Sequence, residues 1–127
     1  MIALDTSFLV DYLDGEEATK RFLAERTGEP MHSPALSLFE VYRGAARTTS
    51  GDRIDDVADA LDWVDPLPLD GSAADEAARI ESELLAAGER INLGDVLIAG
   101  VCRDRGATIV SRDDHFDRVD GLDTVTY

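Results

Sequence analysis

Four carboxylates stand where solvation alone does not account for them in this chain of 127 residues. Asp5 closes the apolar opening "MIAL" and is followed at once by two hydroxyls, Thr6 and Ser7. Glu40 interrupts an apolar helical run between Phe39 and Val41, although glutamate is rarely buried without a partner. Asp95 opens the most apolar helical stretch, "DVLIAGVC", and Asp113 lies in "SRDDHF", shortly after the apolar "ATIV". Each has a plain structural explanation as well. Asp5 can cap a helix, Glu40 can pair with Arg43 at i,i+3, Asp95 suits the positive end of a helix, and Asp113 can make a turn. Singly, none defines a site.

The elements that carry them place them together. Residues 2–5 and 107–110 read as short buried strands, with another near Met31-His32. An extended "PLPL" at 66–69 has prolines that favour a sheet edge, and "DTVTY" adds a last strand. Helices are expected from a cap at Thr6 or Ser7 to about Leu13, over 16–27 up to Gly28, and from Ser33-Pro34 through "ALSLFEVYRGAA". Further helices are expected over 52–64, with Ile54, Val57, Ala58, Leu61 and Val64 on one face, from a Ser72 cap to Gly88, and over 93–105, stopped by Gly106. Strands alternating with helices predict an α/β three-layer sandwich, one domain over 1–127, with a short, mainly parallel central sheet and helices on both faces.

In such a sheet the working site lies beyond the carboxyl ends of the strands. Asp5 and Asp113 each follow a strand, Asp95 starts the helix leading into the second of those strands, and Glu40 comes from a facing helix. Acids gathered this way repel one another. A hard divalent cation with oxygen ligands, Mg²⁺ or Mn²⁺, would relieve that repulsion. Asp5, Asp95 and Asp113 are its candidate ligands, with the hydroxyls of Thr6, Ser7 and Ser111 placed to orient them. Strand alternation puts Ser111 and Asp113 on one side and Arg112 and Asp114 on the other, which favours Asp113 over Asp114. An immediate turn would reverse that choice. His32 and His115 lack metal-ligand spacing, Cys102 reads as core, and no phosphate loop, GxSxG or zinc pattern occurs.

The charge is the outlying property. Asp and Glu total 27 against 12 Lys and Arg, a net of −15, and Lys20 is the only lysine. Short hydrated carboxylates with few alkyl-ammonium groups suit a surface that stays solvated in concentrated salt, so a halophilic source is expected. Net charge then reports the solvent and does not exclude nucleic acid as a partner. One cysteine precludes an internal disulfide, and neither a secretory signal nor an apolar run long enough for a bilayer is read, so a cytoplasmic setting is expected.

"LDTSFLVDYL", "SLFEVYRGA", "NLGDVLIAG" and "TIVSRDDHF", in this order across essentially the whole chain, resemble the PIN-domain ribonucleases, most closely the VapC-type toxins of toxin–antitoxin pairs. The resemblance implies catalytic acids at Asp5, Glu40, Asp95 and Asp113, with Ser111 and Phe116 at the family's hydroxyl and aromatic places. Ser111 stands where threonine is common. The resemblance further implies a Mg²⁺-dependent endoribonuclease that hydrolyses RNA phosphodiesters, forms a homodimer and is silenced by a cognate antitoxin. Arg43 and Arg47 lie three and seven residues beyond Glu40 on one helical stripe and are candidate RNA contacts. Two alternatives remain open. A haloacid dehalogenase-like phosphohydrolase would normally want a second Asp where Ser7 stands, and a non-catalytic PIN-fold binding module should have lost acids that are all present here.

The composition yields a first prediction. Lowering salt from molar to about 0.1 M, where the Debye length is about 10 Å, should lower the melting temperature of the folded protein. Melts unchanged across that range would refute the halophilic reading.

Overall fold

The computed structural model describes residues 1–48 and 52–127. Strand β1 (Ile2–Leu4) leads into helices α1 (Thr6–Leu13) and α2 (Glu17–Ala24). Strand β2 (Met31–Pro34), helices α3 (Ala35–Thr48) and α4 (Asp52–Ala60) and strand β3 (Val64–Leu67) follow. The chain then runs through α5 (Gly71–Ala87), α6 (Leu93–Arg105), β4 (Thr108–Val110), a 3₁₀ turn at Asp114–Arg118, and β5 (Thr124–Val125). The sheet order is β3-β2-β1-β4-β5, and every pairing is parallel. A parallel sheet must be covered on both faces, and here it is.

Alternation along the short strands divides the core in two. Ala3 and Ile109 face one way, onto Ala73, Ala77, Ile80, Val96 and Val101 of α5 and α6. Leu4 and Val110 face the other, onto Phe8, Phe22, Leu38, Val41 and Val57 of α1 to α4. With β1 central and β4 in register beside it (Leu4 opposite Val110), their carboxyl ends stop level. The loops that leave them, at Asp5 and Ser111, therefore emerge side by side. The amide of Asp5 extends the pairing by donating to the Val110 carbonyl at 3.2 Å.

Several boundaries differ from the sequence reading, each for a physical reason. Asp5 itself, not Thr6 or Ser7, caps α1: its backbone is extended and its side chain accepts from the Phe8 amide. Ser33-Pro34 does not start a helix but belongs to β2, held extended by pairing with β3, and α3 begins at Ala35. Helix α2 spans only Glu17–Ala24, with Thr19 and Phe22 buried and Leu23 partly buried against the same core. Val64 leaves the helical pattern to open β3, so the edge strand includes Pro66 and ends at Leu67. Asp70, not Ser72, caps α5, and the Ser72 hydroxyl donates instead to Asp104 on α6.

The layer behind the site depends on how tightly α5 and α6 meet. A Cβ on Gly100 would lie 2.6 Å from Ala77 Cβ and 2.8 Å from its Cα. At that distance backbone, not a flexible side chain, would have to move. Arg103 then ties the pair from outside, donating to Glu76 at 2.6 Å, Glu83 at 2.8 Å and the Asp120 carbonyl at 2.9 Å. Gly100→Ala should therefore destabilise by about 1–3 kcal/mol through overpacking, read as a lower denaturant midpoint with unchanged m-value. An unaltered midpoint would show that the helices can part at no cost.

Candidate active site

Asp5 is the residue around which the carboxyl edge is organised. It is 2% exposed, and both carboxylate oxygens are engaged. Oδ1 accepts the Phe8 amide at 2.9 Å and the Ser7 hydroxyl at 2.7 Å, while Oδ2 accepts the Ser111 hydroxyl at 2.5 Å. Burial raises its pKa, the three hydrogen bonds pull it down, and the charge of Asp113 raises it again. Burial wins, so the carboxylate is held short of compensating positive charge. Capping and chemistry do not compete at this position. One oxygen does most of the capping while the other faces β4's exit loop.

The other acids join Asp5 through a circuit of contacts. The Asp113 amide donates to Ser111 Oγ at 2.9 Å, placing this acid next to the hydroxyl that holds Asp5. Thr6, beside Asp5, donates to Glu40 Oε1 at 2.8 Å. Glu40 Oε2 lies 3.6 Å from where a Cβ on Gly94 would begin, so glycine keeps the space between Glu40 and the head of α6 clear. Asp95 sits in that first turn, its amide donating to Asn92 Oδ1 at 2.9 Å and its Oδ2 accepting Asn92 Nδ2 at 2.8 Å. This reciprocal arrangement resembles a capping box with its roles shared between two residues. His115, two residues past Asp113, closes the circuit: its Nε2 is 2.5 Å from Asp95 Oδ2, though poorly aligned for a hydrogen bond.

Thus Asp5, Glu40, Asp95 and Asp113 share one edge, with Thr6, Ser7 and Ser111 each bonded to an acid or to a residue that holds one. Among the described residues, however, no three acids, histidines or cysteines are close enough to enclose one ion. The fit to a hard divalent cation therefore rests on donor chemistry. The site offers carboxylates and hydroxyls without an available thiol, around a buried carboxylate whose raised pKa positive charge would reverse. Cys102 lies close enough to feel Asp5, but burial and then that charge push its thiol up to about 12, which removes it as a nucleophile.

Sequence reasoning missed three features. His115 carries no metal-ligand spacing in the sequence, and its approach to Asp95 depends on the 3₁₀ turn folding back to α6. Asp11 is buried on α1, where Arg112 Nη1 donates to both its oxygens at 2.9 Å and Tyr127 donates to Oδ2 at 2.7 Å. Asn92, three residues before Asp95, went unread as well, although asparagine ahead of an apolar helix is a cap signal that could have found it. Arg43 and Arg47 are exposed on α3, beyond Glu40. A groove of about 460 Å³ runs between α1, α3 and α4, lined by Val10, Leu13, Val41 and Val57, and reaches Glu40.

A short parallel sheet between two helical layers, with four acids at the carboxyl edge, defines a three-layer α/β protein with an acidic, oxygen-donor site. The pattern of the PIN domain family matches residues 2–122, and the chain belongs to that family. It is 29% identical over 123 residues to the tRNA(fMet)-specific endonuclease VapC of Shigella flexneri, covering 95% of this chain and 93% of that protein. Ribonuclease VapC5 of Mycobacterium tuberculosis is 26% identical over 122 residues, covering 96% and 90%. In three dimensions the chain superposes on VapBC2 from Rickettsia felis, solved bound to a DNA fragment from the promoter, with a TM-score of 0.91 at 19% identity, covering 100% and 99%. No helix among the described residues is long and apolar enough to cross a membrane.

The raised pKa of Asp5 gives a pH prediction. A carboxyl whose folded pKa lies above its unfolded value contributes stability that is complete below the unfolded pKa and lost as pH rises through the folded one. With divalent ions chelated, Asp5→Asn should therefore melt higher than wild type at neutral pH, and the gap should close as pH falls into the ordinary carboxylate range. Added Mn²⁺ should stabilise wild type and leave the variant unmoved. A variant that melts lower at neutral pH would show that Asp5's hydrogen bonds outweigh its desolvation.

Proposed function

We propose that the protein is a Mg²⁺- or Mn²⁺-dependent endoribonuclease, the toxin of a toxin–antitoxin pair, acting as a homodimer on RNA. The observation that carries this reading is the buried Asp5 carboxylate, bonded to Ser111 and adjoining Asp113, at the edge that also receives Glu40 and Asp95. The Shigella relative, a tRNA(fMet)-specific endonuclease, and the mycobacterial relative, a ribonuclease, support RNA as the substrate. Likeness to a VapBC assembly supports an antitoxin partner. The apolar groove that reaches Glu40 would let a partner segment cover the site. Family membership leaves no role for the haloacid dehalogenase alternative.

In this reading Asp5, Asp95 and Asp113 hold the ion. When bound, it supplies positive charge against the phosphodiester and lowers the pKa of water. The chain's own residues do the rest. Ser7 and Ser111 fix the Asp5 carboxylate from both sides, so it cannot swing away when charge changes nearby. Glu40, with Oε1 taken by Thr6, keeps Oε2 beside Gly94 to accept a proton from the attacking water. Water adds to phosphorus, one phosphorus–oxygen bond breaks, and the released oxygen takes up a proton. Arg43 and Arg47 extend from Glu40 along α3 and would meet neighbouring phosphates, where each charge-assisted contact supports positioning rather than sequence choice.

Purified Asp5→Asn and Asp95→Asn should stay folded and lose metal-dependent RNA cleavage, by about a hundredfold or more given the size of such catalytic contributions. Asp113→Asn should lose metal affinity and activity while Asp114→Asn retains both. Full activity in folded Asp5→Asn would refute the assignment, and absence of cleavage by wild type on structured and unstructured RNAs with Mn²⁺ would favour the binding-module reading. Loss confined to Asp114→Asn would move the ligand by one residue.

A further inference from the structure

Arg112 stands between Ser111 and Asp113, yet its side chain turns away from both. Its amide donates to Ser7 Oγ at 3.4 Å, and its Nη1 reaches α1 to share both oxygens of Asp11 at 2.9 Å each. Ser7 and Asp11 are one helical turn apart on α1, so one residue grips that helix at two levels. The lower grip is built: the Asp11 side chain is only 11% exposed, and Tyr127, whose hydroxyl completes its partners, stacks edge-on against Phe8 at 4.8 Å. The Phe8 amide in turn donates to Asp5. A carboxylate this buried needs such partners. The Arg112 side chain is 56% exposed, so the pair contributes little to global stability. Its consequence is local. It fixes the loop whose hydroxyl holds Asp5 and whose next acid is Asp113.

We infer that the Arg112–Asp11 pair is a positioning clamp, which holds the Ser111–Asp113 loop against α1 and thereby sets the spacing of Asp5 and Asp113 for cation binding. The inference rests on the acidic-site reading above, and it assigns Asp11, Arg112 and Tyr127 a part in that site. Arg112 acts through Ser111 and Asp113 rather than by touching the reacting atoms. One guanidinium nitrogen meets both carboxylate oxygens, a single-point contact that a lysine ammonium in the same place could also make.

The test is a double-mutant cycle read by Mn²⁺ binding, using electron paramagnetic resonance on the protein without RNA. Arg112→Ala and Asp11→Asn should each weaken Mn²⁺ affinity about ten- to hundredfold, each keeping the single cooperative melt of a folded protein. The double variant should be no worse than either single, because both remove one clamp. RNA cleavage should then fall in kcat at saturating Mn²⁺ with KM for RNA unchanged. Arg112→Lys should recover part of the lost affinity, because one cationic nitrogen suffices for the contact with Asp11. If Arg112→Ala binds Mn²⁺ as wild type does but raises KM for RNA, Arg112 is a phosphate contact and the clamp is overturned; additive losses in the double variant overturn it too. Asp5→Asn separates the two levels of the account. Should wild type bind Mn²⁺ and Asp5→Asn fail to, a normal Arg112→Ala defeats the clamp alone, whereas a wild type that binds no Mn²⁺ defeats both.

Discussion

A carboxylate taken almost wholly out of water at the point where β1 becomes α1 governs the rest of this structure. Asp5 is charged in ordinary surroundings and costly to bury, so each of its oxygens must be met. The helix meets one through the Phe8 amide and the Ser7 hydroxyl; the neighbouring strand's exit loop meets the other through Ser111. This requires β1 and β4 to be adjacent, parallel and level, which the register of Leu4 with Val110 provides. The three bonds do not cancel the cost of burial. What remains is a carboxylate whose charged form nearby positive charge would stabilise.

The surrounding layers serve this arrangement at several removes. Gly100 lets α6 lie close on α5, which fixes the head of α6 and with it Asp95. Gly94 leaves room for Glu40 to face that head, and Thr6 keeps Glu40 from turning outward. The strands are short, of two to four residues, so little of the geometry is enforced by sheet hydrogen bonding alone. Side-chain bonds from hydroxyls and the Arg112–Asp11 pair supply the precision that longer strands would otherwise give. Such bonds are cheap in global stability and decisive for local geometry.

Much of this was legible in the residues. Apolar runs with an acid just beyond them located two strand ends, and the alternation of strands with helices implied a parallel sheet whose carboxyl edge collects those acids. Alternation also separated Ser111 from Arg112, which turns to α1. The caps were harder. Asp5, Thr6 and Ser7 are all good N-cap residues, and the choice among them depends on Thr6 being engaged by Glu40 from another helix. Pro34 looked like a helix start because proline suits a first turn; pairing with β3 overrode that local preference. The contacts of His115 with Asp95 and of Arg112 and Tyr127 with Asp11 join residues distant along the chain, where neither spacing nor periodicity carries a signal.

The central claim is the proposal that Asp5 anchors one cation position at the carboxyl edge, which Asp95 and Asp113 would complete. An anomalous difference map from crystals of the wild-type protein soaked in Mn²⁺ tests it most directly. The account predicts a peak bonded to Asp5, with Asp95 and Asp113 turned toward it directly or through water. A well-occupied peak elsewhere, for example between Asp114 and Asp117, with none at Asp5, would contradict it.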